Sequence, residues 1–207
     1  MFRKGKATGL FLTAILLAML PPAPAMAGGS IGEWYPIDNI PNCKFWVPFS
    51  GKESSVKWTG KCVGGFVHGN GVLQFKKGSF EGDFRNGKLQ GLGVLVSMNA
   101  FRYEGEFQDT GMHGKGVLVV KDMYRYEGEF KNNGKDGYGI QEFADGSRYE
   151  GQYLDDWRHG HGIWTLRDEK KCEGEWDKGQ LVGLAKGWVN GQLKACVTED
   201  YAVKFLD

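Results

Sequence analysis

From residue 101 to residue 130, apolar and polar side chains alternate with period two. In Arg125-Tyr126-Glu127-Gly128-Glu129-Phe130 the arginine and both glutamates fall on one side of an extended chain, and Tyr126, Gly128 and Phe130 on the other, because successive strand side chains point to opposite faces. Arg102 to Phe107 repeat this alternation, and Arg148 to Tyr153 and Lys171 to Trp176 nearly do. Each run predicts a strand with a charged face and an aromatic face. Gly128 is expected to leave room between Tyr126 and Phe130, and cross-strand Arg/Lys and Glu pairs to hold the charged face. Polar turn residues follow, as in Arg85-Asn86-Gly87-Lys88 and Lys131-Asn132-Asn133-Gly134. Second β-rich runs come next, at Val94-Leu95-Val96, Val117 to Val120, Ile140 to Phe143 and Ile163 to Leu166. Such a turn between two such runs is a hairpin signal.

The pattern is periodic. Phe80-Glu81-Gly82, Tyr103-Glu104-Gly105, Tyr126-Glu127-Gly128, Tyr149-Glu150-Gly151 and Cys172-Glu173-Gly174 start 23 residues apart, and a degenerate copy, Trp58-Thr59-Gly60, starts 22 residues before the first. A G-x-G pair holds one offset in five copies: Gly69 and Gly71, Gly91 and Gly93, Gly114 and Gly116, Gly137 and Gly139, Gly160 and Gly162. In the last copy Gly183 remains and Ala185 replaces its partner. A lone hairpin is marginal in water, so units of this length must stack.

Y-E-G-E-F, a turn, G-x-G and a closing polar turn such as Ala144-Asp145-Gly146 resemble the membrane occupation and recognition nexus (MORN) repeat. The resemblance spans residues 58 to 187, with copies starting near 58, 80, 103, 126, 149 and 172. It implies an all-β, single-layer, twisted, open antiparallel sheet of about six successive hairpins. It further implies a scaffold or dimerisation module, with lipid binding also attributed to the family. Three positions depart from the pattern: Cys62 stands at a fifth-position aromatic, Cys172 at a leading aromatic, and Gln152 at a second glutamate. Segments 28–57 and 188–207, with Trp34, Tyr35, Phe45, Trp46 and Phe49 in one and Trp188, Val197, Tyr201, Val203 and Phe205 in the other, are expected to cap the two ends.

Composition changes the picture at the amino terminus. Arg3, Lys4 and Lys6 precede the apolar run Leu10 to Leu20 and an A-x-A end at Ala27, the order of a secretory signal peptide cleaved after residue 27. The expected location is the periplasm or the cell exterior. Without residues 1–27 the chain carries 23 basic and 25 acidic residues, so nothing favours nucleic acid or an electrostatic membrane binder. Four cysteines form an even set, the signature of disulfides in an oxidising compartment. Of three connectivities, Cys43 with Cys62 and Cys172 with Cys196 is favoured, because each ties a terminal segment to its neighbouring repeat. A zinc site lacks a C-x-x-C pair to seed it.

Candidate chemistry is sparse. Glu104 with Glu106 and Glu127 with Glu129 could pose as acid and base, but they recur in copy after copy opposite arginines, whereas catalysis needs two different environments. His68, His113 and His159 share one offset, and His159 with His161 lacks a third metal ligand. The G-x-G pairs have no strand-to-helix context for a nucleotide. No enzyme, metal or cofactor is expected. The aromatic face remains, with Tyr103, Tyr126, Tyr149, Phe107, Phe130, Tyr153 and Trp176 as candidate binding residues. At least half of these rings are expected to pack as core, and the others to line a groove. Trp157 joins the candidates, since its copy carries a large ring in place of a turn glycine. The expected partner is a protein, a second copy of the chain included; the alternative is an envelope glycan or lipid held in the aromatic groove.

Overall fold

A computed structural model describes residues 32–47, 55–199 and 201–206. The signal-like segment and Phe49 lie outside these residues. No helix occurs among the described residues, and their strands form one sheet. Ten strands make its body: β5 (Phe66–Phe75), β6 (Gly78–Arg85), β7 (Lys88–Ser97), β8 (Phe101–Gln108), β9 (Gly111–Val120), β10 (Tyr124–Lys131), β11 (Gly134–Phe143), β12 (Arg148–Leu154), β13 (Trp157–Thr165) and β14 (Lys171–Asp177). Each pairs antiparallel with the next. At the amino end, β1 (Glu33–Pro36) pairs with β2 (Lys44–Val47), while β3 (Lys57–Trp58) and β4 (Lys61–Val63) pair with β5. At the carboxyl end, β15 (Gln180–Leu181) and β16 (Ala185–Val189) both pair with β14, and β17 (Gln192–Glu199) and β18 (Ala202–Leu206) continue the meander. Most of segment 188–207 therefore lengthens the sheet.

Five hairpins of the repeats turn through two residues that both have positive φ, Asn86-Gly87, Asp109-Thr110, Asn132-Asn133, Asp155-Asp156 and Lys178-Gly179, and the flanking turns Gly64-Gly65 and Asn190-Gly191 do the same. That is the requirement of a type I′ turn, whose twist matches the flanking strands and which favours Asn, Asp and Gly. These turns also clip successive hairpins together. The Asn133 backbone N–H donates to Met112 O at 3.0 Å, and its Oδ1 accepts from the Met112 backbone N–H at 2.9 Å. Thr110 makes the same pair of bonds to Leu89, and Asp156 to Lys135. Backbone groups that a sheet would leave open are satisfied by the turn of the next copy.

The second strand of each hairpin begins immediately after its turn and runs through the G-x-G, earlier than the runs starting at Val94, Val117, Ile140 and Ile163 suggest. A β-bulge allows this. Between β8 and β9, Gly105 faces Gly116 but Glu106 faces His113, so Gly114 and Lys115 are skipped in the ladder. Gly114 has φ 55°, which glycine adopts at little cost. The bulge disrupts carbonyl pairing, and Tyr103 Oη repairs it by donating to Glu106 O at 2.9 Å. Tyr126 and Tyr149 donate in the same way to Glu129 O and Gln152 O. In the degenerate first copy Trp58 substitutes, its Nε1–H donating to Lys61 O at 2.8 Å.

Each leading tyrosine ring then lies over a pair of facing glycines. A Cβ on Gly128 would stand 2.5 Å from Tyr126 Oη and 2.6 Å from Gly139 Cα, and one on Gly139 would stand 2.4 Å from Tyr126 Oη. The room that Gly128 provides is thus beneath Tyr126 rather than between Tyr126 and Phe130. The rings meet edge to face in an unbroken series: Phe80, Phe107, Tyr103, Phe130, Tyr126, Tyr153, Tyr149 and Trp176, with neighbouring centroids 5.0 to 6.4 Å apart. This geometry suits the aromatic quadrupole. Disulfides stand at both ends. Cys43 is bonded to Cys62 and Cys172 to Cys196, with Cα atoms 6.0 and 6.1 Å apart. Cys172 is fully buried, so a sulfur bridge fills the place of the last leading ring.

Substituting Gly128→Ala is expected to lower stability by about 1 to 3 kcal/mol, because the methyl group must displace the Tyr126 ring or the Gly139 backbone. The urea midpoint of the variant against wild type measures this. An unchanged midpoint would show that the ring moves aside freely.

Candidate functional site

The structure brings seven of the eight candidate binding residues together as the core. Tyr103, Tyr126 and Tyr149 are 0 % exposed, and Phe107, Phe130, Tyr153 and Trp176 are buried too. Their faces are covered by one another, leaving no free ring of these seven in an open groove. Burial also holds the hydroxyls of Tyr103, Tyr126 and Tyr149 well above the ordinary tyrosine range. Trp157 is different. It opens β13 just after the Asp155-Asp156 turn, so it occupies the strand-opening place of Gly111 and Gly134 rather than a turn position. Half-exposed, it stacks on Tyr201 with centroids 6.2 Å apart and covers the Gly179 turn of the next copy.

What lies over the ring series is the residue two places after each turn: Leu89, Met112, Lys135, Arg158 and Leu181. Three are apolar and two are cations. Lys135 Nζ lies 5.1, 5.2 and 5.5 Å from the ring centroids of Tyr153, Tyr124 and Tyr126, and donates to Gln141 Oε1 at 2.9 Å. Arg158 lies 4.4 Å above Trp164 and 4.8 Å above Trp176, and donates to Gly179 O. Desolvation among these rings pushes the Lys135 ammonium down to about 8; Arg158 adds to the lowering and Asp156 opposes it.

The opposite face carries the charged lattice. Its arginine–glutamate pairs run along single strands, Arg102 to Glu104, Arg125 to Glu127 and Arg148 to Glu150, each at 2.6 Å. The expected cross-strand pairing gives way to this because residues two apart already share a face. His159 and His161 face different acids, Asp177 at 3.4 Å and Glu173 at 3.2 Å. No cluster of three or more metal-ligating side chains occurs among the described residues. On this face the middle residue of every G-x-G stands out from its bulge, Asn70, Leu92, Lys115, Tyr138 and His161, and Leu184 stands at the same offset in the last copy, all exposed.

Compared with known families, the chain matches the MORN repeat at residues 63–79, 80–99, 103–119, 126–148, 149–169 and 172–186, more than half of its length. The chain belongs to the MORN repeat family. No curated protein matches it. MORN repeats are in general protein- or membrane-interaction modules on a non-catalytic scaffold.

One further feature of this MORN chain escapes a residue-by-residue reading. The β1–β2 hairpin sets Trp34, 41 % exposed, over the Asn86-Gly87 turn, where a Cβ on Gly87 would stand 2.5 Å from the indole ring. Trp34 thereby walls an open cleft of about 500 Å³ with Arg85, Asn86, Gln90 and Asp109. Gln90 Nε2 donates to Asp109 Oδ1 at 2.7 Å. Trp34 lies 51 or more positions before the other four, so no local motif announces the cleft.

The Lys135 environment has a consequence for stability. Below about pH 8 the lysine carries its proton whether folded or not. Between about 8 and its ordinary value of 10.5, the folded chain has released the proton and the unfolded chain keeps it, so stability rises with pH. Above the ordinary tyrosine value of 10.0, the buried tyrosines reverse the trend, because the unfolded chain releases their protons first. Melting temperatures measured from pH 7 to 11 should rise and then fall. In Lys135→Met the rise should vanish and the fall remain.

Proposed function

We propose that this MORN chain is an exported, non-catalytic scaffold that binds other proteins, a second copy of itself included, through the row of bulge residues on its charged face. The observation that carries this reading is the regular display of one exposed side chain per copy, different in nearly every copy. Asn70, Leu92, Lys115, Tyr138 and His161 sit on alternate strands, about 10 Å apart, and Leu184 precedes β16 at the same offset in the last copy. An unvarying lattice cannot tell one partner from another, so specificity belongs to the positions that differ. Leu92 and Leu184 are 76 % and 72 % exposed, apolar points of the kind that interfaces cover.

The remaining parts of the reading agree with this. The lattice glutamates are held by neighbouring arginines in equivalent settings, which supports a structural role for them rather than an acid and base pair. The signal-like segment and the two cysteine pairs favour an oxidising compartment outside the cytoplasm. The double variant Leu92→Asn, Tyr138→Asn should melt like wild type yet lose at least tenfold in capture of its partner from envelope extract, or in self-association by sedimentation. Capture and self-association both equal to wild type would sink the proposal. The bait recovered in that experiment should begin at Gly28 and lack four thiol hydrogens by intact mass.

The Trp34 cleft favours a second reading, a saccharide site that does not use the aromatic core. An exposed indole offers a stacking face, and Asn86, Gln90 and Asp109 offer planar donors and acceptors for hydroxyl groups. Wild type should then bind members of a glycan array, and Trp34→Ala should abolish the signal. Silence of wild type on the array would remove this reading.

A further inference from the structure

We propose that Lys135 and Arg158 form a second binding site, on the aromatic face, for two carboxylates of a partner protein's acidic segment. The inference rests on the scaffold reading only in taking a protein as partner. Its residues lie on the opposite face from the bulge row.

Repetition supplies the first argument. At this register the sister copies place Leu89, Met112 and Leu181 over the same ring series, and Leu89 and Leu181 are buried there. Packing the rings therefore requires no charge. Two adjacent copies nevertheless carry cations, where desolvation penalises both and Arg158 further disfavours the Lys135 charge.

The second argument is what surrounds them. Charges withdrawn from water normally sit beside an opposite charge. Among the described residues neither cation has a carboxylate within ion-pair distance, although four arginines of the charged face do. Asp156, the acid that acts on Lys135, spends Oδ1 on the Lys135 backbone N–H at 2.9 Å. Lys135 uses one of three side-chain donors on Gln141, and Arg158 uses one of five on Gly179 O. Beneath the guanidinium, the buried indole N–H of Trp164 has no acceptor. Free donors thus converge on one small area.

Geometry names the ligand. The two cations stand on β11 and β13, two strand spacings or about 10 Å apart at the backbone. Tyr124, Phe143 and Trp164 lie half-buried around them. A segment with two carboxylates at that spacing, separated by apolar side chains, matches both charge and apolar surface. An anionic membrane is a poorer match, because its attraction grows with the number of basic residues presented. Here there are two, on a chain that without residues 1–27 carries 23 basic and 25 acidic residues.

The test is titration of the full mature chain with a hexaglutamate peptide, followed by ¹⁵N NMR shifts at Lys135, Arg158 and the Trp164 indole. Wild type should bind. Lys135→Met with Arg158→Leu, which copies residue types found in the sister copies, should bind at least tenfold more weakly while melting at or above the wild-type temperature. If that variant melts early, Lys135→Gln alone decides by the same affinity criterion. Leu92→Asn, Tyr138→Asn should leave hexaglutamate binding unchanged, so loss of the bulge-row partner and loss of this site are separately visible. No binding by wild type, equal binding by the variants, or a preference for phosphatidylglycerol vesicles over the peptide would overturn the proposal.

Discussion

Everything in this sheet depends on an aromatic ring lying flat over two facing glycines. Tyr126 over Gly128 and Gly139 is the pattern, and its hydroxyl closes the carbonyl that the bulge disturbs. The arrangement solves two problems together. A single-layer sheet has no second layer to bury its apolar face, so the rings must cover the sheet themselves. A bulge in every hairpin disturbs the ladder, so each ring must also carry a polar atom to its rim. Tyrosine meets both needs and so does tryptophan, which is why Trp58 can open the series. At Gly82 and Gly93, where the leading residue is Phe80 and has no hydroxyl, the side chain of Leu89 lies against both glycines.

The architecture was legible because its causes are local. Alternation of Arg, Tyr, Glu, Gly, Glu and Phe separates the two faces, Asn and Asp mark turns that need positive φ, and a fixed period repeats both. Less legible was everything that depends on the bulge. It shifts the register inside each second strand, so counting by twos puts Lys135 and Gln141 on one face but does not reveal that the Lys135 ammonium reaches back over Tyr153, Tyr124 and Tyr126. The clip from Asn133 to Met112 spans 21 residues and uses a side chain that looks like ordinary turn chemistry. Trp34 and Asp109 meet only because the first hairpin folds back on the body of the sheet.

The same contrast explains the fate of the aromatic candidates. Sequence marks Tyr103, Tyr126 and Tyr149 as exceptional because they recur, yet recurrence is the mark of a structural requirement. Residues that break the repeat carry more information about partners. Lys135 and Arg158 in place of Leu or Met, and Tyr138 or Leu92 at the tip of a bulge, are departures that the ring series does not need. Trp157 belongs to the departures as well, but its ring is spent on Tyr201 and the Gly179 turn.

The placement of the two disulfides makes the sheet a molecular ruler of adjustable length. Cys43–Cys62 and Cys172–Cys196 close only the first and last copies, and no cysteine lies between them. Each central copy meets its neighbours through the same turn clip and the same ring-to-ring contact. A duplicated or deleted 23-residue unit there leaves both seals intact and moves them apart or together by two strand spacings, about 10 Å. Distance between whatever docks at the two ends is thus encoded in copy number, one step at a time.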